Sequence, residues 1–359
     1  MIKERKVGLD FLRSFAIIFV VYSHYTGDLS FLPTWLLKIQ NLGWTGVDLF
    51  FVISGFLISS QWFSALKSKE VKKEFKIFFI KRAFRILPSY FLILTIYFFI
   101  SHFVQGRETV IWPYLLFIQN YTGLFLFTPS WSLCVEEHFY LIFPFFSYVL
   151  IKKMNRYKWI IFLLFFVSPI LRFLSTRLMD PSFFVAANLS ELENIFYYPT
   201  HMRLDGLAIG ILLAYIKEYS KPRWDYLLKV RTPLCLIGLV ILSLSYYNLM
   251  FYRFDRFAWV FGCSGLALGF GLLFPFALEL KVKRTSWVSS FSELSFSMYL
   301  LFHLVGYGMT IIILKSGIKL NGISTLILYS TLLWGASFVM FKYFEGFFMK
   351  KRRVVLEAL

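Results

Sequence analysis

Residues 9–26 read LDFLRSFAIIFVVYSHYT, an apolar run that contains one arginine and one histidine. Its length matches a helix that crosses the hydrocarbon core of a bilayer, which takes about 20 residues. Comparable runs recur along the 359 residues, of which 58% are hydrophobic and only 16% charged. A soluble globular chain is nearer half apolar and about a quarter charged. The composition therefore predicts an all-α, polytopic membrane bundle whose helices satisfy their own backbone hydrogen bonds.

The charge pattern predicts how these helices are oriented. With both termini in the cytoplasm, most of the 38 lysines and arginines fall in cytoplasmic loops, as the positive-inside rule requires. The same rule explains the net charge of +18, so no nucleic-acid partner is expected. We predict about ten transmembrane helices, near residues 9–26, 46–62, 84–103, 132–150, 159–175, 201–216, 232–250, 257–279, 292–314 and 323–343.

One further apolar segment, residues 110–127, does not fit this alternation. It contains Pro113 and Gly123, and as a full span it would invert every later loop. We interpret it as a re-entrant or interfacial segment on the outer side, because irregular backbone is tolerated where protein buries it. The chain shows no repeats, and we predict a single membrane domain over residues 1–350 with a short cytoplasmic tail at 351–359.

The basic N-terminus and the cysteines suggest no processing and no metal. The first apolar run is interpreted as a retained helix rather than a cleaved signal peptide, because a cleaved segment would not need its arginine and histidine. No metal-ligand spacing is present, so no metal site is predicted. Three cysteines fall inside predicted spans, where buried packing is their expected role: Cys134, Cys235 and Cys263.

Arg13 and His24 are the first candidates for chemistry, because ionisable side chains within a span are costly and usually functional. They are separated by about 16 Å of helical rise and only about 20° of rotation, so they share one helix face. Arg13 is suited to phosphate, and His24 to the role of a general base or transient acyl acceptor. The structural alternative is that Arg13 snorkels and His24 packs at the interface.

The fourth span opens with a second polar cluster, WSLCVEEHFY at residues 131–140. Ser132, Glu136 and Tyr140 are four residues apart and form one stripe, which makes them candidates together with Trp131. Glu136 is the preferred partner for an imidazole or an acceptor hydroxyl. The alternative is that Glu136 and Glu137 only complement the positive end of the helix.

Two more candidates lie at the ends of other spans. Arg82 and Arg85 share a helix face at the cytoplasmic surface, where they either grip a nucleotide phosphate or contact anionic lipids. Asp48 enters the second span from the outer side, and its role is left open.

The remaining polar residues are expected to be structural. His303 is kept as a weaker candidate, although a lone histidine is more often a packed bundle residue. Arg203 and Asp205, at the start of the sixth span, are expected to pair with each other. The same structural role is expected for the histidines near the outer ends of spans: His102, His138 and His201.

Six blocks together resemble the acyltransferase 3 family, bacterial membrane O-acyltransferases of envelope and secreted polysaccharides. Order and spacing agree from residue 8 to about residue 345. The blocks are GLDFLR (8–13) followed by His24, GVDLFFVISGFLIS (46–59), RAFRILP (82–88), PSWSLCVEEHFYLIFP (129–144), HMRLDGLAIGILLA (201–214) and LSFSMYLLFH (294–303).

This resemblance implies an acyl-CoA donor, usually acetyl-CoA, as a cytoplasmic co-substrate with no permanently bound cofactor. It implies a glycan acceptor on the outer side of the bacterial inner (plasma) membrane. His24 matches the family's catalytic histidine and Arg13 its partner. The donor-side arginine pair and the paired glutamates correspond to Arg82, Arg85, Glu136 and Glu137, while His138 replaces the common glutamine.

Alternatives remain for the acceptor substrate and for the functional class of the protein. Some family members carry an additional extracytoplasmic domain, and no such segment is seen here, so we expect delivery by the membrane domain itself or through a partner. The acceptor is alternatively a small sugar, an antibiotic or a lipid. A transporter or flippase of glycan precursors would show paired broken helices or repeat symmetry, which the sequence lacks. The sequence predicts no oligomeric state.

Overall fold

The computed structural model describes residues 7–123, 126–151, 154–180, 183–184, 188–251, 255–280 and 286–359, and within these ranges all regular structure is helical. Three-residue turns of 3-10 helix occur at Gly43–Thr45, Gln119–Tyr121 and Thr200–Met202. The α-helices in chain order are α1 (Val7–Ser23), α2 (Thr34–Gln40), α3 (Gly46–Ala65), α4 (Val71–Phe99), α5 (Trp112–Leu115), α6 (Ser130–Ile151), α7 (Met154–Leu178), α8 (Leu189–Phe196), α9 (Leu204–Tyr219), α10 (Lys221–Lys229), α11 (Arg231–Phe251), α12 (Arg256–Leu278), α13 (Ser286–Ser316), α14 (Gly322–Val339) and α15 (Gly346–Glu357).

The long helices confirm a multi-pass membrane protein. Two of the ten predicted spans, 9–26 and 201–216, correspond to α1 and α9, whose 17 and 16 residues lie near the short limit of about 17 for a span. The total of ten spans and the cytoplasmic termini therefore stay predictions. Among the described residues, eight segments are long and apolar enough to cross a membrane: Thr34–Ala65, Val71–Val104, Ser130–Ile151, Trp159–Leu178, Arg231–Phe251, Arg256–Leu278, Trp287–Ser316 and Gly322–Glu357.

The segment at residues 110–127 contains only short helical pieces where it is described. The helix α5 has four residues, and the turn Gln119–Tyr121 has three. Phe117 and Gly123 adopt positive φ angles of 55° and 64°, which interrupt a right-handed helix. No described helix here is long enough to cross a bilayer, and residues 124–125 lie outside the described residues. The re-entrant placement stays a prediction.

The chain divides into two compact units, which are described separately. The first comprises Met1–Val47, Phe79–Ile100 and Val282–Leu359, and the second comprises Asp48–Phe78 and Ser101–Lys281. The predicted domain of residues 1–350 thus covers two units. Its boundary, and the predicted tail at 351–359, fall within α15, which continues helically to Glu357.

In the first unit α1 packs along α13. The hydroxyl of Ser14 donates to the carbonyl oxygen of Val288 at 2.8 Å, and Ser292 Oγ donates to Asp10 Oδ1 at 2.8 Å. Small and polar side chains of this kind let helices approach and bond inside a membrane. The opposite face of α1 exposes bulky apolar side chains that suit lipid: Phe11, Phe15 and Ile18.

In the second unit α3 and α9 approach so closely that their backbones touch. A Cβ atom on Gly210 would collide with the carbonyl oxygen of Val52, and one on Gly55 would collide with that of Leu207. Glycine is therefore required at both positions for this helix pair to form. The blocks GVDLFFVISGFLIS and HMRLDGLAIGILLA thus meet as one helix contact.

Candidate active site

His24 directly follows α1, in register with it. Its backbone N–H donates to the carbonyl oxygen of Val20, so the face that carries Arg13 continues to the histidine. The ring atom Nδ1 lies 2.9 Å from the same carbonyl oxygen and 3.0 Å from Ser23 Oγ. A carbonyl oxygen can only accept, so Nδ1 carries the proton of the neutral ring. The lone pair therefore resides on Nε2, the atom that can take up a proton or an acyl group.

His24 lines a cavity of about 520 Å³ within the first unit, which we call the histidine cavity. Its volume lies within the range of about 300–1,000 Å³ typical of small-molecule sites. Its lining combines aromatic, polar and aliphatic residues, as in sites that orient a ligand by a few polar contacts. The lining includes His24, Tyr25, Phe302, His303 and Tyr329.

His303 of α13 shares this cavity with His24. The two imidazole rings have centroids 5.4 Å apart and meet edge to face at 82°, which is contact distance for aromatic rings. Phe302 packs against His24 at 5.1 Å and against His303 at 4.3 Å, so it supports both rings. His303, the weaker candidate, thus lines a cavity beside the main candidate, and its role stays a prediction.

The loop after His24 forms part of the wall of the histidine cavity and packs against α14. The rings of Tyr25 and Tyr329 contact each other at 5.1 Å. The backbone N–H of Ser30 donates to Asp28 Oδ1 at 2.8 Å, and this hydrogen bond lowers the pKa of Asp28. Gly322, at the start of α14, lies so close to the carbonyl oxygen of Asp28 that no side chain would fit. These contacts join the loop to α14 beside the cavity.

The three candidate phosphate ligands belong to the same unit as His24. Arg13 on α1 and both Arg82 and Arg85 on α4 are half-buried. Arg85 is close enough to Glu345 and Arg352 to interact with both electrostatically.

Glu345 itself was not singled out from the sequence. It lies in the π-helical turn Met340–Glu345, between α14 and α15, and accepts a hydrogen bond of 2.5 Å from Ser297 Oγ on α13. The turn thus brings a half-buried carboxylate to the vicinity of Arg85.

The predicted stripe on α6 lies in the second unit. Glu136 accepts hydrogen bonds from Ser54 Oγ at 2.6 Å and from Tyr140 Oη at 2.9 Å. Glu136 and Glu137 are half-buried, whereas Ser132 is buried. The predicted link from Glu136 to an imidazole stays a prediction, because both histidines of the cavity belong to the other unit.

A buried ion-pair network lies in the second unit and consists of Asp48, Arg172, Arg203 and Asp205. The Arg172 guanidinium donates to Asp205 at 2.7 Å and to Ser264 Oγ at 2.6 Å. It also donates to the carbonyl oxygens of Met202 at 2.7 Å and Val260 at 3.1 Å. All four charged residues are at most 2% exposed and each has an ionic partner, while Asp48 Oδ2 and Arg203 Nε are buried without a hydrogen bond. Removal of one partner of such a buried pair is strongly destabilising.

Arg203 and Asp205 do not pair with each other, and that prediction was wrong. Arg203 donates to Asp48 Oδ1 at 2.6 Å and to Cys263 Sγ at 2.5 Å, while Asp205 pairs with Arg172. Arg203 precedes α9 with a non-helical backbone and Asp205 lies in the first turn of that helix, and each side chain finds its partner on another helix. Asp48, whose role was left open, is thereby explained as the partner of Arg203.

Aromatic rings complete the surroundings of Arg203. Its guanidinium lies 4.3 Å from the ring centroid of Tyr197, 5.6 Å from Phe51 and 5.7 Å from Trp131. Such cation–π contacts favour a buried arginine. The surroundings of Trp131, which is 5% exposed, therefore indicate packing around Arg203.

Arg172 was overlooked although its position carried a signal. It lies within the predicted span 159–175, where an arginine is expensive and always worth explaining. Ser264 and Cys263 gave no comparable signal, because serine and cysteine are ordinary residues in membrane helices. All three cysteines of the chain are free thiols, and Cys134 and Cys263 are buried.

Known O-acetyltransferases are similar to this chain in sequence. O-acetyltransferase OatA of Staphylococcus aureus strain NCTC 8325 is 30% identical over 292 residues, which cover 76% of this chain and 45% of that protein. A predicted O-acetyltransferase of S. aureus strain COL is 28% identical over 302 residues, which cover 79% of this chain and 46% of the relative. The chain thus matches less than half the length of these relatives. No solved structure is significantly similar to it.

The family model described as an acyltransferase domain matches residues 6–342, nearly the whole chain. This range includes Arg13, His24, Glu136 and His303, and it confirms the resemblance carried by the six sequence blocks. The chain belongs to the acyltransferase 3 family.

Proposed function

We propose that this chain is a membrane O-acyltransferase that moves an acyl group from cytoplasmic acyl-CoA to a hydroxyl of an envelope or secreted polysaccharide on the outer side of the bacterial inner (plasma) membrane. The observation that carries the proposal is the histidine cavity, where His24 keeps a free Nε2, in a chain of an acyltransferase family. The names of the relatives describe O-acetyl transfer, which favours acetyl as the group moved.

The donor is assigned to the arginines. Arg13, Arg82 and Arg85 offer permanent charge and planar donors that match the phosphates of CoA. Acyl-CoA acts as a co-substrate, so the proposal needs no permanently bound cofactor. The positive-inside distribution of charge supports cytoplasmic termini and about ten spans, with these arginines towards the cytoplasm.

The chemistry is assigned to His24. About 16 Å of helical rise separates Arg13 from His24, so an acyl group held at the end of the flexible CoA arm can reach the ring while the phosphates stay at the arginines. His24 Nε2 either deprotonates the acceptor hydroxyl or carries the acyl group. Glu136 and Glu137 are proposed to assist His24 in this transfer, because they occupy the positions of the family's paired glutamates.

The experiment uses a strain that lacks the gene and is complemented with variants. The measured quantity is the rate at which base-labile acetate accumulates in isolated cell envelopes after induction. We expect the wild type to restore it and His24→Ala to lower it by about 10²- to 10⁴-fold, the usual contribution of an acid–base group.

The matched control is His102→Ala, an exposed histidine in the π-helical turn Ile100–Val104. It should restore envelope acetate fully. Restoration by His24→Ala at the wild-type rate would contradict the proposal. If the acetate appears on a small secreted sugar instead of the envelope, the acceptor is the small sugar and not a polysaccharide.

A further inference from the structure

Two imidazoles in one cavity are more than a single-base mechanism requires. His24 is tied through Nδ1 to the Val20 carbonyl oxygen, and His303 comes from α13 to contact it at 5.4 Å. Both rings line the histidine cavity, and Phe302 packs on both. A group that enters this cavity therefore meets two nitrogen heterocycles at once.

We infer that the two histidines divide the reaction: His24 carries the acyl group, and His303 is the base that activates the acceptor hydroxyl. This inference rests on the proposed function. It assigns to His303 a catalytic role that follows from its placement beside His24 and not from its own sequence context.

The first step involves only His24 and the donor. The Nε2 lone pair attacks the thioester carbonyl carbon, so that a C–N bond forms, the C–S bond breaks and CoA leaves as its thiolate. The acyl-imidazolium keeps its proton on Nδ1, and its positive charge is stabilised by the hydrogen bond to the Val20 carbonyl oxygen. His24 then has no lone pair left with which to act as a base.

The second step therefore needs another base, and His303 is at contact distance. The acceptor oxygen attacks the acyl carbon, the C–O bond forms and the C–N bond to His24 breaks. The hydroxyl proton passes to His303, which releases it afterwards, and the CoA thiolate takes up one proton. The net change is one thioester and one alcohol converted to one ester and one thiol.

The histidine cavity is suited to an acceptor hydroxyl on a sugar ring. Tyr25 and Tyr329 line the cavity and their rings contact each other, so the apolar face of a sugar can pack on these residues while its hydroxyls reach the histidines. The volume of about 520 Å³ accommodates a ligand of that class together with an acetyl group.

The test separates the two steps. Purified full-length chain in nanodiscs is given acetyl-CoA and tritiated CoA without an acceptor, and the exchange of label measures the first step and its reversal. The rate of base-labile acetate accumulation in envelopes of complemented cells measures the whole reaction. The variants are His24→Asn, His303→Asn and, as matched control, His102→Asn.

We expect His303→Asn to keep exchange within about twofold of wild type and to lower the envelope rate by about 10²-fold or more. His24→Asn should lose both, and His102→Asn should lose neither. Retained exchange also shows that His303→Asn is folded.

Three results would overturn the inference. They are a wild-type envelope rate in His303→Asn, an equal loss of exchange and envelope rate in that variant, and absence of exchange in the wild type while it still restores envelope acetate. If the wild type neither exchanges label nor restores acetate, the proposed function fails as well.

Discussion

The histidine cavity and the ion-pair network both place ionisable side chains within a membrane protein, but they satisfy them differently. In the network, Arg172 donates to two carbonyl oxygens, a serine hydroxyl and a carboxylate, and it is fully buried. In the cavity, His24 uses one ring nitrogen for a backbone carbonyl and keeps the other for a ligand.

The difference separates structural charge from reactive charge. Each of the three nitrogens of the Arg172 guanidinium donates to a partner, so its bonds cannot change without loss of stability, and it links several helices. A neutral imidazole beside a cavity can exchange a proton or an acyl group at little structural cost. Burial of an ionisable group in a span is therefore not enough to assign function, and its set of partners decides.

The largest effect is expected from a substitution that breaks the ion-pair network. Arg172→Met leaves Asp205 buried without its ionic partner, and we expect a loss of about 3–5 kcal/mol of stability. The measurement is thermal unfolding followed by size-exclusion chromatography in detergent. Arg177→Met, which removes an exposed arginine of the same helix, should change stability by less than about 1 kcal/mol. Equal effects of the two substitutions would show that the network is not structural.

The next largest effect is expected at Arg85, which is proposed to bind the phosphates of the acyl-CoA donor. Arg85→Gln should raise the KM for acetyl-CoA about 10- to 100-fold, because a hydrogen bond to a charged group is worth about 1.5–3 kcal/mol. The measurement is the label exchange at varied acetyl-CoA concentration. Lys81→Gln, which removes an exposed cation from the same helix, should change KM less than twofold. Identical shifts in both variants would assign Arg85 to lipid contact.

The smallest effect is expected at Glu136, and it tests whether this residue is a structural or a reactive charge. In Glu136→Gln the amide oxygen can still accept from Ser54 and the amide nitrogen can donate to Tyr140 Oη, so stability should change by less than about 1 kcal/mol. The loss of the charged carboxylate should nevertheless lower the envelope acetate rate about 10-fold.

Glu193→Gln provides the control for this substitution, because Glu193 also accepts a hydrogen bond from a tyrosine, Tyr198, at 2.9 Å. It should leave the acetate rate unchanged. Full activity of Glu136→Gln would place Glu136 with the structural charges.

Properties encoded locally were predictable from the sequence. Hydropathy located eight long helices, because each span must satisfy its own backbone and expose an apolar surface. Helical periodicity placed Arg13 and His24 on one face, since it depends only on their spacing. The Ser132–Glu136–Tyr140 stripe was likewise visible, and its Glu136–Tyr140 hydrogen bond forms within one turn.

Pairing between distant helices was not predictable. Arg203 and Asp48 are 155 residues apart, and Arg172 and Asp205 are 33 apart, so spacing along one helix says nothing of these contacts. The meeting of His24 with His303 depends in the same way on the packing of α1 against α13. That packing is fixed by small residues and serine hydrogen bonds whose partners lie at the other end of the chain.

In the proposed reaction the acyl group leaves CoA at His24. The most direct measurement is single-turnover release of CoA from acetyl-CoA by purified wild type and His24→Asn, together with the calorimetric Kd for acetyl-CoA. If His24 acts on the thioester and the arginines hold the phosphates, the variant should lose about 10³-fold in release rate while its Kd stays within about threefold. Release of CoA at the wild-type rate by His24→Asn would contradict this role of His24.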